Sequence, residues 1–321
     1  MLIKACLMSE LRVFYHEDHR LKVAKSIDLL KKMDLKSVIW IDLNNVSDEI
    51  KEELEDFLKI YIQKTDEIET RPRYIQTNHN LTINSFFLRS NYVLEPVSFI
   101  VKDSILVSVR REELRSFSET VKRLYANHKA FPTGQHILVS LFEVRVDYDA
   151  DIIEELTEQI TILSKSMSTS SKEPIGEDIL IEIKDLQEKV MTIRQNIMDK
   201  QRVVSSMLKD SFFEKDLQPR LDMTLKDINS LFEYTHFGFE RLDCLQDTFL
   251  GLVNLQQSKI IKIFTVVSVI FMPPTLIASI YGMNFHVMPE LGWKLGYVFS
   301  LGMMILSVVV VLVLFRRKKW L

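Results

Sequence analysis

The chain has only two cysteines, Cys6 and Cys244, far apart in sequence. That spacing argues against a disulfide scaffold and suits a reducing compartment, with both thiols acting as small packing residues. A glycine-rich phosphate loop ending in Lys-Ser or Lys-Thr is missing, so ATP-driven pumping has no visible engine. Neither His-Glu-x-x-His nor Gly-x-Ser-x-Gly occurs, which points away from an enzyme. His16-Glu17-Asp18-His19 has the residue types of a metal cluster but no established ligand spacing, and between two strand-like runs it reads as a polar turn. Met1 to Leu11 contains no apolar core after a basic start, so no secretion signal is expected and the soluble part is expected in the cytoplasm.

What the chain does have is concentrated at its C-terminal end. About 20 uncharged residues run from Ile263 to Tyr281, and a second uncharged run spans Leu295 to Phe315. Each is long enough to cross a hydrocarbon core of roughly 30 Å as a helix. Lys259 and Lys262 precede the first run and Arg316, Arg317, Lys318 and Lys319 follow the second, whereas the loop between them carries only Glu290, Lys294 and the titratable His286. Basic flanks stay inside, so the loop at 282–294 is expected outside and both termini in the cytoplasm. Trp293, Tyr297 and Trp320 stand where aromatic rings mark the two interfaces. The formal net charge is −3, and setting aside the four terminal cations leaves an acidic body of −7. Such a body repels nucleic acid and attracts cations.

The N-terminal part, 1–147, mixes strands and helices. Ile3–Met8, Arg12–His16, Val38–Leu43, Tyr74–Thr77, Leu81–Arg89, Val97–Val101 and Ile105–Arg110 read as strands, with Lys102-Asp103-Ser104 as a turn. Ser47 is a candidate cap for a helix reaching about Ile60, and further helices are expected over Glu112–Ala126 and after Thr133. This predicts an α+β domain with a mixed or antiparallel sheet. Residues 148–258 then read as long helices with few breakers, one reaching about Ser166, one over about Glu177–Lys209, and a third from near Leu217 into the first span. If the third is continuous to Tyr281 it covers close to 100 Å at ~1.5 Å per residue. Residues 259–321 form the membrane hairpin, ending in the basic tail 316–321.

Within the first span, Ser258, Ile261, Thr265, Ser268, Met272, Thr275 and Ser279 recur at spacings of three and four. That is a heptad seam, and hydroxyls on one side of a membrane helix imply either a helix contact or a water-filled path. Two spans cannot enclose a pore, so a path requires several copies. Pro273 and Pro274 are candidates for a kink.

The first span ends in Tyr281-Gly282-Met283-Asn284, and here the chain resembles the CorA family of magnesium channels, whose signature is Gly-Met-Asn at this point. Lys262-Ile263-Phe264-Thr265, Phe271-Met272-Pro273-Pro274-Thr275, Met288-Pro289-Glu290-Leu291 and Lys318-Lys319-Trp320-Leu321 carry the same likeness, in order, over some seventy residues. The resemblance implies a homopentameric funnel in the cytoplasmic membrane, with no catalytic cofactor and Mg²⁺ as both substrate and regulatory ligand. It implies a selectivity filter at Gly282, Met283 and Asn284, an outer mouth at Glu290, and apolar constrictions at Met272 and Ile261. A filter that reads the hydrated ion would also pass Co²⁺ or Ni²⁺, which have similar octahedral shells. It further implies closure by Mg²⁺ held between subunits on acidic side chains, for which the stalk offers Asp222, Asp227, Asp243 and Asp247; the best-known sensing position falls on Met223. Ser258 stands where the family often has asparagine, and His286 where an acidic residue is common, so weaker cation attraction is expected as His286 protonates. Two other readings are a Zn²⁺ transporter of the same fold and a membrane-tethered sensor or scaffold without a pore.

Overall fold

The structure, a computed structural model, describes residues 10–17, 20–63, 73–77, 80–169, 177–283 and 288–318. The expected strand Ile3–Met8, most of the loop from Ser168 to Gly176, and Asn284, His286 and Trp320 lie outside these residues. The chain divides into two units, Met1–Thr169 with Gly176–Gln246 and Ser170–Ile175 with Asp247–Leu321.

The first unit is built on seven strands: β1 (Glu10–Glu17), β2 (Arg20–Ala24), β3 (Val38–Asn44), β4 (Arg73–Gln76), β5 (Asn80–Leu88), β6 (Leu94–Lys102) and β7 (Ile105–Arg110). They form one mixed sheet in the order β2-β1-β3-β7-β6-β5-β4. All pairings are antiparallel except that of β3 with β7, where Trp40 faces Leu106 and Asp42 faces Ser108. These two central strands are buried along their whole lengths, as near-continuous apolar runs such as Val38-Ile-Trp-Ile require. Lys102-Asp103-Ser104 closes the β6–β7 hairpin with Asp103 in the left-handed region at φ 51°, a conformation that aspartate tolerates.

Both faces of the sheet are covered. On one side Leu30 of α1 (Ile27–Lys32) and Leu54 and Leu58 of α2 (Asp48–Leu58) pack with Val13, Ile41, Leu43, Val107 and Val109. Ser47 occupies the N-cap of α2 with an extended backbone, but its hydroxyl makes no capping bond. The other side is aromatic. Phe14 stacks on Trp40 with ring centroids 4.8 Å apart, and Phe117 of α3 (Arg115–Ala126) and Phe142 of α4 (Gly134–Thr169) pack on Phe99. Gly134 starts α4 where its N–H donates to Ser104 O at 2.6 Å, so close to β7 that a Cβ there would lie 2.2 Å from the Leu106 nitrogen.

Helix α5 (Glu177–Lys209) runs alongside α4, and a buried charge cluster ties them: Asp149 lies 2.8 Å from Lys200 Nζ and also accepts from Arg145. A 3-10 turn at Lys215–Leu217 then leads into α6 (Gln218–Tyr281), 64 residues that continue through Pro273 and Pro274 without a break. Another 3-10 turn, Pro289–Gly292, precedes α7 (Gly296–Arg317). Both α6 and α7 are long and apolar enough to cross a membrane.

Candidate functional site

The segment of α6 from Ser258 to Tyr281 belongs to the second unit. Every seam residue is exposed on this chain, with Ile261 at 64 % and Met272 at 68 %. The half-buried positions of the same segment are Val266, Ile270, Pro273, Pro274, Ile277 and Tyr281. At 100° per residue, the seam from Ile261 to Ser279 clusters within roughly 40° of one line and the half-buried stripe lies roughly 170° around the helix from it. The hydroxyl-bearing face is thus part of the surface that the chain itself leaves uncovered, together with flanking apolar residues such as Phe264, Val267 and Phe271. Helix α7 also has a covered stripe, formed by Gly296, Ser300, Met304, Ser307, Val308, Val311 and Phe315, while large residues such as Leu306 and Val310 are exposed.

The hydroxyls on the seam are oriented by the helix. Thr265 Oγ1 donates to Ile261 O at 2.8 Å and Thr275 Oγ1 donates to Phe271 O at 2.7 Å. A threonine hydroxyl has one proton and two lone pairs, so each outward face is left as an acceptor. Acceptors are what a hydrated divalent cation needs, because its inner waters point their hydrogens outward. Met272 and Ile261 interrupt this polar line with apolar side chains.

At the end of α6 the Gly282 N–H donates to Ala278 O at 2.9 Å and the Met283 N–H to Ile280 O at 3.2 Å, so the helical bonding reaches Gly282 and tightens to a three-residue turn at Met283. A Cβ on Gly282 would meet Ala278 O at 3.1 Å, tight enough to disturb that turn. Asn284 lies outside the described residues. Glu290 belongs to the 3-10 turn Pro289–Gly292.

The stalk acids are not gathered by one chain. Asp222 pairs with Lys226 at 2.8 Å, Asp243 accepts from Gln187 at 2.9 Å, and Asp227 and Asp247 are exposed. Asp222 and Asp227 point roughly 140° apart round the helix. Met223, at the expected sensing position, is 64 % exposed. His136, Glu214 and Asp216 escaped the sequence reading, yet the fold brings their side chains together, His136 and Asp216 being 80 positions apart. No local motif marks such a set.

Residues 36–317 match the family described as CorA-like Mg²⁺ transporter protein. The chain belongs to the CorA family. It is 38% identical to the magnesium transport protein CorA of Wolinella succinogenes over 297 residues, covering 89% of this chain and 92% of that protein. The protein of the same name from Campylobacter jejuni strain RM1221 is also 38% identical, over 271 residues covering 81% of this chain and 83% of that one. The complete structure of the CorA magnesium transporter from Methanocaldococcus jannaschii matches with a TM-score of 0.83 at 17% identity, over 98% of this chain and 99% of that chain. The CorA fold therefore extends across the whole chain, α/β unit and long helices included.

Proposed function

We propose that the chain is one subunit of a homopentameric, gated channel that carries Mg²⁺ into the cytoplasm across the cytoplasmic membrane. The observation that carries this reading is the seam of α6. Its acceptor-bearing face is exposed and lies opposite the stripe that its own chain covers. The hydroxyls give their protons to their own helix, but their acceptor lone pairs would find no donor in lipid, and symmetric copies arranged with this face inward put them against a water-filled axis. Residues 1–147 then form a cytoplasmic α/β domain, 148–258 the long cytoplasmic helices, and 259–321 the membrane hairpin, with 282–294 outside and both termini inside.

In this arrangement Gly282, Met283 and Asn284 form the filter, Glu290 supplies charge at the outer mouth, and the pore is lined by Ser258, Ile261, Thr265, Ser268, Met272, Thr275 and Ser279. Carbonyl and amide oxygens engage the ion through its water shell, which suits a cation that dehydrates reluctantly. Co²⁺ and Ni²⁺ pass by the same route. Entry is driven by concentration and by the membrane potential, worth roughly 4.6 kcal/mol per 100 mV for a divalent ion. Cytoplasmic Mg²⁺ bridging neighbouring subunits at Asp222, Asp227 and Asp247 holds the pore closed.

The test is Mg²⁺ influx into liposomes containing the purified protein under an inward-negative potential, comparing wild type with Asn284→Ala. Conduction by wild type and its loss in a still-oligomeric variant support the filter. Absence of conduction by wild type, with Mg²⁺ removed from the cytoplasmic side, rejects the channel in favour of the sensor or another ion.

A further inference from the structure

His136 lies in the first turn of α4 and is only 4 % exposed. Its Nε2 is 3.1 Å from Asp216 Oδ2, in the 3-10 turn that leads into α6. Glu214 stands two residues earlier, and one ligand atom from each of the three residues falls within 4.8 Å of the others. Both carboxylates are exposed, leaving the cluster open to solvent on one side.

Thr133 links the histidine to Glu214: its Oγ1 lies 2.8 Å from His136 Nδ1 and 3.1 Å from Glu214 Oε1. When Nδ1 donates to Thr133 Oγ1 and the hydroxyl proton faces Glu214, Nε2 is the nitrogen free to ligate on the Asp216 side. A transition ion bonded to nitrogen and oxygen at about 2.1 Å each, at angles between right and tetrahedral, holds such ligands about 3 Å apart. Glu214 is meanwhile fixed on its backbone side: its N–H donates to Gln135 Oε1 at 3.0 Å, and Gln135 Nε2 donates to Phe212 O at 3.0 Å.

We propose that His136, Glu214 and Asp216 bind a divalent transition ion of the Zn²⁺, Co²⁺ or Ni²⁺ class and so fasten the connection leading into α6 to the start of α4. The imidazole selects these ions over Mg²⁺, which takes oxygen ligands. The Thr133 relay is the kind of outer partner that sets the tautomer and orientation of a ligating histidine. None of the three residues belongs to the proposed ion path, so the site stands or falls independently of conduction.

The experiment is equilibrium dialysis of the purified full chain against Zn²⁺, with excess Mg²⁺ present to occupy oxygen-only sites. Wild type is expected to retain one equivalent per chain that His136→Gln and Asp216→Asn lose. His236→Gln, altering a histidine that faces Glu240 on the surface, is expected to retain it. Thr133→Val keeps all three ligands and is expected to bind about 10–100-fold more weakly. Asp216→Asn changes an exposed carboxylate, so it carries the test if the buried histidine proves necessary for folding. Equal Zn²⁺ retention by wild type, His136→Gln and Asp216→Asn overturns the proposal. So does a wild type that holds no Zn²⁺ over Mg²⁺, which would leave the His136–Asp216 contact as a plain hydrogen bond.

Discussion

Arg110 holds Asp42 at two points on the aromatic side of the sheet, with Nε 3.2 Å from Oδ1 and Nη2 2.9 Å from Oδ2, and both side chains are sealed from solvent. Arg12 Nη2 reaches the same carboxylate at 2.7 Å and the Ser108 hydroxyl donates to it at 2.8 Å. The carboxylate thus joins β1, β3 and β7 at the sheet's parallel pairing. The Arg110 guanidinium also lies 4.5 Å from the ring centroid of Phe117.

Asp42→Leu should therefore destabilise the first unit by about 3 kcal/mol, because it removes the doubly bonded buried carboxylate and leaves the Arg110 guanidinium only the more exposed Glu113, 3.0 Å from Nη1, as its counter-ion. The double variant with Arg110→Met removes both charges and should recover a large part of that loss. Thermal melting of the purified full chain checks both. A double variant no more stable than the single one would show that the pair's value lies in its geometry and not in mutual neutralisation.

The same carboxylate sets an acid limit. Burial pushes the Asp42 carboxyl up, but Arg110 and Arg12 more than offset this and hold it below its ordinary value of 3.8. A depressed folded-state pKa contributes stability above the unfolded value, and that contribution is lost as pH falls through the folded one. The stability gap between wild type and Asp42→Asn should therefore be constant near neutrality and narrow below about pH 4. Melting curves recorded across that window would refute the assignment if the gap were unchanged.

Gly134 is a packing constraint, not a conformational one. A Cβ there would lie 2.2 Å from Leu106 N, 2.7 Å from Ile105 C and 2.9 Å from Ile39 O, all backbone atoms unable to rotate away. Gly134→Ala must push α4 off β3 and β7, and overpacking of this kind costs about 1–3 kcal/mol or more. A lowered melting temperature with unchanged helix content by circular dichroism is the expected result; wild-type stability would mean that α4 shifts freely.

The sequence makes the seam legible because its period lies along one helix. Ser258 to Ser279 need no tertiary information to fall on one face, and the ends of α5 at Glu177 and Lys209 likewise coincide with local breakers and polarity. Elements that depend on neighbours were missed. The edge strand β2 reads Arg-Leu-Lys-Val-Ala, with charges interleaved, and α1 has only six residues, too short to be stable without the core that Leu30 enters. The parallel pairing of β3 with β7 joins residues some 66 positions apart, as Asp42 and Ser108 show. Long-range closure also hid His136, Glu214 and Asp216, which share no local period.

Met272 provides the sharpest test of how the proposed path closes. It lies on the seam between Ser268 and Thr275, is 68 % exposed on the single chain, and has no polar group to replace a lost hydration bond. A ring of such side chains excludes water when narrow, and a narrow dry segment stops a strongly hydrated ion without touching it. Met272→Ser replaces that ring with short acceptors and should raise Mg²⁺ influx when cytoplasmic Mg²⁺ is high, the condition in which the proposed channel is closed. Ile270→Val, on the opposite, half-buried face, should leave influx as in wild type. Fluorescent Mg²⁺ indicators in liposomes read both. If Met272→Ser stays as closed as wild type, dewetting at this ring is not the gate, and the closing element must be sought at Ile261 or among the stalk acids.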